Sequence, residues 1–193
     1  MKLRIAIYST LVVTALFLVI NKLNEKKNIE AVRNVGGNII YDDPTFFSYI
    51  FKKRIRKIDF MYSNITDLKF LGNLNVESIL LNDSKVTSLN GIEKVKSLEK
   101  LLLNNCKIDN ISEVEQLKNL KYIILKGTKV TDIKVLTFLP SLEIINLQEI
   151  NLVDQNQLLE LQNPKTLWLY DTNVTKELVS KLQIKFPDCE INH

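Results

Sequence analysis

The sequence predicts an α/β solenoid, in which stacked coils each add one strand to a parallel β-sheet and return through a 3-10 or extended segment. Two periodic patterns support this prediction. Pairs of apolar residues separated by one position recur every 22 residues, and apolar residues then recur at every third position. Three-residue spacing keeps side chains on one side of a 3-10 or extended segment, whereas it would drift around an α-helix.

The apolar pairs set the register of the coils. Five pairs follow one another at 22-residue intervals: Ile79/Leu81, Leu101/Leu103, Ile123/Leu125, Ile145/Leu147 and Leu167/Leu169. Ile58/Phe60 precedes this series by 21 residues, and Cys189/Ile191 extends it by 22. A fixed period over this many copies indicates a repeat protein. Because one coil cannot bury its own apolar side, the pairs are predicted to form a continuous core between stacked neighbours.

Two successive repeats, LEKLLLNNCKIDNISEVEQLKN at 98–119 and LKYIILKGTKVTDIKVLTFLPS at 120–141, resemble bacterial leucine-rich repeat proteins with 22-residue, internalin-like repeats. The resemblance covers about residues 55–191 and implies a leucine-rich repeat solenoid with its parallel sheet on the concave face. Two departures stand out. The turn position, usually Asn in that family, holds Ser63, Ser84, Cys106, Thr128, Ile150 and Thr172, which predicts a weaker side-chain ladder. Gln155 replaces an apolar residue, which predicts a local bulge.

The first residues predict a membrane anchor. Residues 5–20 form an uncharged run between Arg4 and Lys22. A spanning helix needs about 20 apolar residues, with about 17 tolerated, and residues 3–21 reach that minimum. The small-residue cleavage pattern of a secretory signal peptide is missing from the following VINKLNEKKN, so an uncleaved single-pass signal anchor is favoured over a cleaved, secreted form. Positive charges lie on both sides of the run. By analogy with bacterial anchors of this shape, the repeat domain is expected to be extracytoplasmic.

Both ends of the repeat array are predicted to carry caps. NEKKNIEAVRNV predicts a helix ended by Gly36 and Gly37, followed by the strand NIIY and an aromatic plug at Phe46, Phe47, Tyr49 and Phe51. Residues 176–186 predict a helix before Pro187. The predicted domains are the membrane anchor at 1–22, the N-terminal cap at 23–54, the repeats at 55–175, and the C-terminal cap helix and last strand at 176–193.

The residue content argues against several classes of function. Lys2 and Arg4 supply half of the net charge of +4, which is far from the basic domain of a nucleic-acid binder. The one histidine is His193, and no phosphate-binding glycine loop, nucleophile elbow or CxxC pair occurs. No catalytic, cofactor or metal site is therefore predicted.

The two cysteines are predicted to be unpaired. Cys106 and Cys189 should lie about 19 Å apart across four coils, which is too far for a disulfide. Both are therefore predicted to be small buried hydrophobes.

The residues between the paired apolar positions are predicted to point away from the core, because strand side chains alternate. Several are large and apolar. The predicted partner-binding residues on the concave face are Leu80, Leu102, Tyr122, Ile124, Ile144, Trp168 and Tyr170. A contiguous apolar patch indicates a contact surface, and Trp and Tyr dominate binding hot spots. The partner would be a protein or a peptide. The alternative is that these residues only stabilise the sheet, in a structural envelope or scaffold protein without a dedicated ligand.

Overall fold

The computed structural model describes residues 2–41 and 55–193, with side chains described from residue 17 onward. Two α-helices and one eight-stranded sheet make up this part of the chain, and the strands follow one another in sequence order. β1 pairs antiparallel with β2, and every later pair is parallel. The elements are α1 (Lys2–Asn34), β1 (Asn38–Tyr41), β2 (Ile55–Asp59), β3 (Val76–Leu80), β4 (Lys100–Leu102), β5 (Tyr122–Ile124), β6 (Ile144–Asn146), β7 (Thr166–Trp168), α2 (Lys176–Lys185) and β8 (Glu190–Asn192).

The 22-residue period sets the pairing of the parallel strands. Leu101 lies opposite Ile79 on one side and Ile123 on the other, and Ile145 continues the row. All four side chains are fully buried. Between strands the chain returns through short 3-10 helices, at Lys69–Leu71, Ile92–Lys94, Ser112–Gln116, Lys134–Phe138 and Gln155–Glu160. The predicted α/β solenoid, with parallel strands and 3-10 return segments, is therefore confirmed.

The last strand departs from the predicted register. Leu167 pairs with Ile191, 24 residues later, rather than with Cys189, which precedes β8. The cause is the return segment between β7 and β8, which holds the α-helix α2 in place of a 3-10 helix. An α-helix rises about 1.5 Å per residue against about 2.0 Å for a 3-10 helix, so it uses more residues to cover the same distance. A two-residue shift keeps each side chain on its face of the sheet, and Cys189 stays buried.

A polar side chain begins most of the return segments in the same way. Asp67, Asn110, Asp132 and Asp154 each accept a hydrogen bond from the main-chain N–H two residues on, at 2.8–3.1 Å. The Ser88 hydroxyl does the same for Asn90. These Asx and Ser/Thr turns satisfy N–H groups that the first turn of a helix leaves unpaired. One such bond per coil thus stabilises the start of each return segment.

Asp132 has a second hydrogen-bond partner, which lies in the next coil. Its Oδ1 atom accepts from the Lys134 N–H at 2.9 Å and from the Gln157 amide at 2.8 Å. The other end of the buried Gln157 side chain accepts from the Ile133 N–H at 2.9 Å. The main-chain bond from Lys134, with help from Gln157, lowers the pKa of the Asp132 carboxyl. Asp132 therefore joins two coils through a charged acceptor.

Asp132→Ala is expected to lower the free energy of unfolding by about 1 kcal/mol, the usual value of a capping side chain. Asp109→Ala, which removes an exposed carboxylate from the neighbouring coil, is the matched control. Because folding lowers the pKa of Asp132, its contribution is complete above the ordinary pKa of Asp, about 3.9. It disappears as the pH falls through the lower, folded value. Urea unfolding should separate the two variants near neutral pH and bring them together in strong acid.

The N-terminal helix corrects the prediction about the membrane. Among the described residues, no helix has both the length and the apolar character that crossing a membrane requires. The prediction of a single-pass membrane location, which rested on an anchor at 1–22 inserted through residues 3–21, is wrong. The expectation of an extracytoplasmic repeat domain was built on that anchor and loses its argument. The uncharged run is short, and α1 continues past it without a break into the charged residues Lys22, Glu25, Lys26 and Lys27.

The end of α1 packs against the start of the repeats. Val32 is fully buried, and Ile29 packs against the same core. Gly36 has φ +82°, and a Cβ on Gly37 would lie 2.6 Å from Val32 Cγ1. The predicted order of helix, two glycines and strand is present at Asn34 to Tyr41. The predicted aromatic plug, Phe46, Phe47, Tyr49 and Phe51, lies outside the described residues.

Candidate interaction surface

The apolar residues predicted to face away from the core lie next to one another on the sheet. Leu80, Leu102 and Ile124 occupy paired positions on β3, β4 and β5. Two residues before Ile124 on β5, Tyr122 lies on the same face and pairs with Ile144 on β6. All five side chains are partly exposed, in contrast to the fully buried residues on either side of Leu102 and Ile124 in the chain. These five residues, with Trp168 and Tyr170, are called the sheet-face patch below.

Two aromatic rings cover the end of the sheet-face patch nearest the C-terminus. The ring centroids of Tyr122 on β5 and Trp168 on β7 lie 6.5 Å apart at an interplanar angle of 55°. The contact therefore reaches across β6. Asn146 lies on β6 beside Trp168, and its side chain is bonded to the main-chain N–H and side-chain amide of Gln148. Tyr170 follows two residues after Trp168 and is 44% exposed.

Oppositely charged side chains surround the sheet-face patch. On the side where the strands begin, Lys pairs with Glu of the preceding coil; the pairs are Lys100–Glu77 at 3.5 Å, Lys121–Glu99 at 3.0 Å and Lys165–Glu143 at 2.8 Å. On the side where the strands end, Lys126 pairs with Glu149 at 3.1 Å. Exposed ion pairs contribute little to stability. Their effect here is to balance the charges of these side chains next to the patch.

A column of residues in the left-handed backbone conformation borders the same face, and the sequence analysis did not predict it. One residue per coil, two positions after the buried apolar residue that ends the pair, has a positive φ between 56° and 66°; these are Tyr62, Asp83, Asn105, Gly127, Glu149 and Asp171. Asn, Asp and Gly tolerate this conformation, whereas Tyr and Glu rarely adopt it. The Asn105 amide donates to Asp83 Oδ1 at 2.8 Å. The Asp, Asn and Gly residues at four of these six positions could have indicated the column in the sequence. Tyr62 and Glu149 interrupt the pattern, so the 22-residue repeat of this conformation was not recognised.

One residue after each member of this column lies the turn position, and its side chains do not bond as a ladder of asparagines would. The Thr128 and Thr172 hydroxyls each donate to the carbonyl oxygen three residues earlier in their own coil, at 2.7 Å. Cys106 bonds instead to the Leu81 carbonyl of the preceding coil. The Ser84 hydroxyl also contacts Cys106 Sγ across the two coils, at 3.7 Å. The turns are thus held within the coil at Thr128 and Thr172, and across two coils at Ser84 and Cys106.

Chemically reactive groups are few in the described part of the chain. Three or more His, Cys, Asp or Glu side chains do not come together there in a way that could hold a metal ion. Cys106 and Cys189 are both free and buried, as the prediction of two small buried hydrophobes requires. Burial raises the pKa of the Cys106 thiol, and it raises that of Cys189 to about 11.

We expect both thiols to be silent towards Ellman's reagent in the folded protein at mildly alkaline pH. The thiolate is the reacting form, and both burial and a raised pKa keep it scarce. Two thiols should react once the chain is unfolded in guanidinium chloride. Rapid reaction of either cysteine without denaturant would contradict the burial described above.

Comparison with known proteins identifies the fold. The sequence matches neither a family model nor a curated protein. Among solved structures, a leucine-rich repeat protein of Leptospira interrogans is 24% identical with a TM-score of 0.54, covering 65% of this chain and 32% of its own. Internalin C2 of Listeria monocytogenes is 18% identical with a TM-score of 0.54, covering 71% and 70% of the two chains. Internalin F of Listeria monocytogenes is 18% identical with a TM-score of 0.53, covering 70% and 46%.

These likenesses are structural, at low sequence identity, and this chain spans about a third of the Leptospira protein and under half of internalin F. They confirm at the level of fold the resemblance to bacterial leucine-rich repeat proteins that the 22-residue period indicated. The protein is a leucine-rich repeat solenoid.

Proposed function

We propose that this protein is a non-enzymatic interaction module that binds a protein or peptide through its sheet-face patch. The observation that carries the proposal is the contiguous, partly exposed apolar surface that ends in the Tyr122–Trp168 ring pair. Stability alone does not require large apolar side chains on a solvent-facing side of a sheet, and patches of this kind commonly bind partners. The leucine-rich repeat fold supports the proposal, since such solenoids offer extended concave surfaces.

The chemistry of the patch describes the partner. Aliphatic side chains on β3 to β5 provide a flat apolar floor, and Trp168 with Tyr122 provides rigid rings that bury much area for little loss of conformational freedom. The neighbouring lysines at the strand starts are paired with glutamates, so steering by charge contributes little. A partner segment with apolar side chains and modest charge fits this surface.

Trp168 makes the proposal directly testable, because it is the one tryptophan in the chain. Peptides are selected on the wild-type protein from a phage-displayed library and then titrated in solution while Trp168 emission is followed. Binding on the patch should shift the emission to shorter wavelength as the indole loses water. Leu102→Asp should weaken binding by roughly 30-fold or more, as expected for a hot-spot residue worth about 2 kcal/mol.

The matched control is Val153→Asp, because Val153 is also apolar and is 72% exposed, but lies on a return segment away from the sheet. It should leave the affinity and the emission shift unchanged. Circular dichroism shows whether both variants are folded. If Leu102→Asp binds the selected peptides as tightly as the wild type does, the patch only stabilises the sheet and the proposed function is wrong.

A further inference from the structure

Asn90 and Gly91 form the one Asn–Gly pair in the sequence. They lie in the return segment after β3, just before the 3-10 helix Ile92–Lys94. Asn90 is exposed, whereas Leu89 and Ile92 on either side of the pair are fully buried. Gly91 has φ +105°. A glycine after asparagine leaves the next amide nitrogen free of side-chain shielding, so the pair has the arrangement in which that nitrogen can reach the asparagine side chain.

The contacts around the pair bring a nucleophile and a base together. The Gly91 N–H donates to Glu93 Oε2 at 2.7 Å. A carboxylate at this distance is within reach of the proton that the nitrogen must lose to become a nucleophile. Among the described residues, the Asn90 side-chain amide has no hydrogen-bond partner, so it is free to rotate towards the Gly91 nitrogen. Only the main chain of Asn90 is held, by Ser88 Oγ at 3.2 Å and by the Leu68 N–H at 3.1 Å.

We propose that Asn90 is a site of spontaneous self-modification, in which the Gly91 nitrogen attacks the Asn90 side-chain carbonyl carbon and the Glu93 carboxylate takes the proton. The new carbon–nitrogen bond closes a cyclic imide. The bond from that carbon to the side-chain nitrogen breaks, and the nitrogen takes up a proton and leaves as ammonia. Water then opens the imide at either carbonyl, leaving aspartate or isoaspartate. The sequence of steps consumes water, releases ammonia and involves no oxidation or reduction.

The surroundings of the pair decide how fast this occurs and what it changes. Gly91 lies against the main chain of Leu68 and Lys69, so ring closure requires Gly91 to move away from these atoms of the preceding return segment. Glu93 belongs to the same turn as Gly91 and moves with it, so the rate depends both on this movement and on Glu93. Isoaspartate adds one methylene group to the main chain between two core residues, Leu89 and Ile92. The product also places a new negative charge close to Glu93. Both changes disturb the contact between the return segments that follow β2 and β3.

The test uses the full chain, incubated folded at physiological temperature and neutral pH for several days. Peptide mapping by mass spectrometry then locates the mass increase of deamidation, and an isoaspartyl methyltransferase assay counts isoaspartate. We expect the increase at Asn90, its loss in Asn90→Gln, and a rate about tenfold lower in Glu93→Gln, a modest value for a general base. Glu115→Gln, which changes an exposed glutamate of the next return segment, should react like the wild type.

Two results would overturn the proposal. One is an absence of deamidation at Asn90 in the folded chain, when the same peptide reacts in chain unfolded by urea; the turn would then protect the pair. The other is an unchanged rate in folded Glu93→Gln, which would remove Glu93 as the base. Hydrogen exchange of the Leu68 N–H before and after reaction should also rise, because that amide bonds to the Asn90 carbonyl.

Discussion

Gly91→Ala is expected to lower the free energy of unfolding by about 3 to 4 kcal/mol. A side chain at φ +105° is strained by about 1 to 2 kcal/mol. The added Cβ would overlap the Leu68 carbonyl and lie 2.7 Å from Lys69 Cα, and overpacking against atoms that cannot move costs about 1 to 3 kcal/mol more. Because these atoms belong to the main chain of the preceding return segment, the coil must shift as a whole. Urea unfolding followed by circular dichroism measures the loss.

Gly36→Ala is the control that separates the two causes. Gly36 also has a positive φ, +82°, but a Cβ there would meet nothing within 4 Å. It should therefore cost only the backbone strain, about 1 to 2 kcal/mol. A loss for Gly91→Ala no larger than that for Gly36→Ala would mean that the return segments do not approach each other as closely as described.

Ile123→Ala is expected to cost about 3 to 4 kcal/mol, within the usual range for removing a large aliphatic side chain from a core. Ile123 is fully buried and lies in the central row between Leu101 and Ile145. In a stack where each coil contacts only its neighbours, a cavity in a middle coil weakens both of its interfaces. The unfolding curve should therefore become broader as well as shift, because the two halves of the stack lose their coupling.

Ile124→Ala removes the same side chain from the next residue of the same strand, but from the sheet-face patch. Because Ile124 is only partly buried, we expect a loss of about 1 kcal/mol, which corresponds to the apolar area it shields from water. Measuring the two variants side by side tests the division of β5 into a buried side and a partly exposed side. Similar losses for both would mean that the sheet face is covered in the folded protein.

The central strands could be predicted from the sequence because one repeated pattern determines both their burial and their pairing. Ile79, Leu101 and Ile123 needed only a 22-residue count to be placed opposite one another. The count failed at β8, where an α-helix replaced the 3-10 helix and changed the number of residues in the coil. The membrane prediction failed for a different reason. It rested on the run at 5–20, although the helix that holds this run continues into a charged segment.

Other features depend on interactions that the sequence pattern does not display. Tyr62 and Glu149 adopt positive φ because the coil must close there, against their own preference, so the left-handed column has no consistent residue type. The outward direction of Tyr122 and Trp168 followed from strand alternation. The contact of their rings across β6 could not be predicted in this way, because it depends on side-chain rotamers and on the relative position of three strands. The apolar nature of the patch was therefore predictable, whereas its shape was not.

The bonds that begin the return segments have a consequence for how such a chain can grow. Asn110 caps a residue two positions away in its own coil, and the strand of that coil pairs with its two neighbours at the same positions. A second copy of residues 98–119 inserted after residue 119 would bring its own cap and find matching partners on both sides. The length of the sheet face can thus change by whole units, through duplication or deletion of coils, while the two ends of the molecule stay as they are.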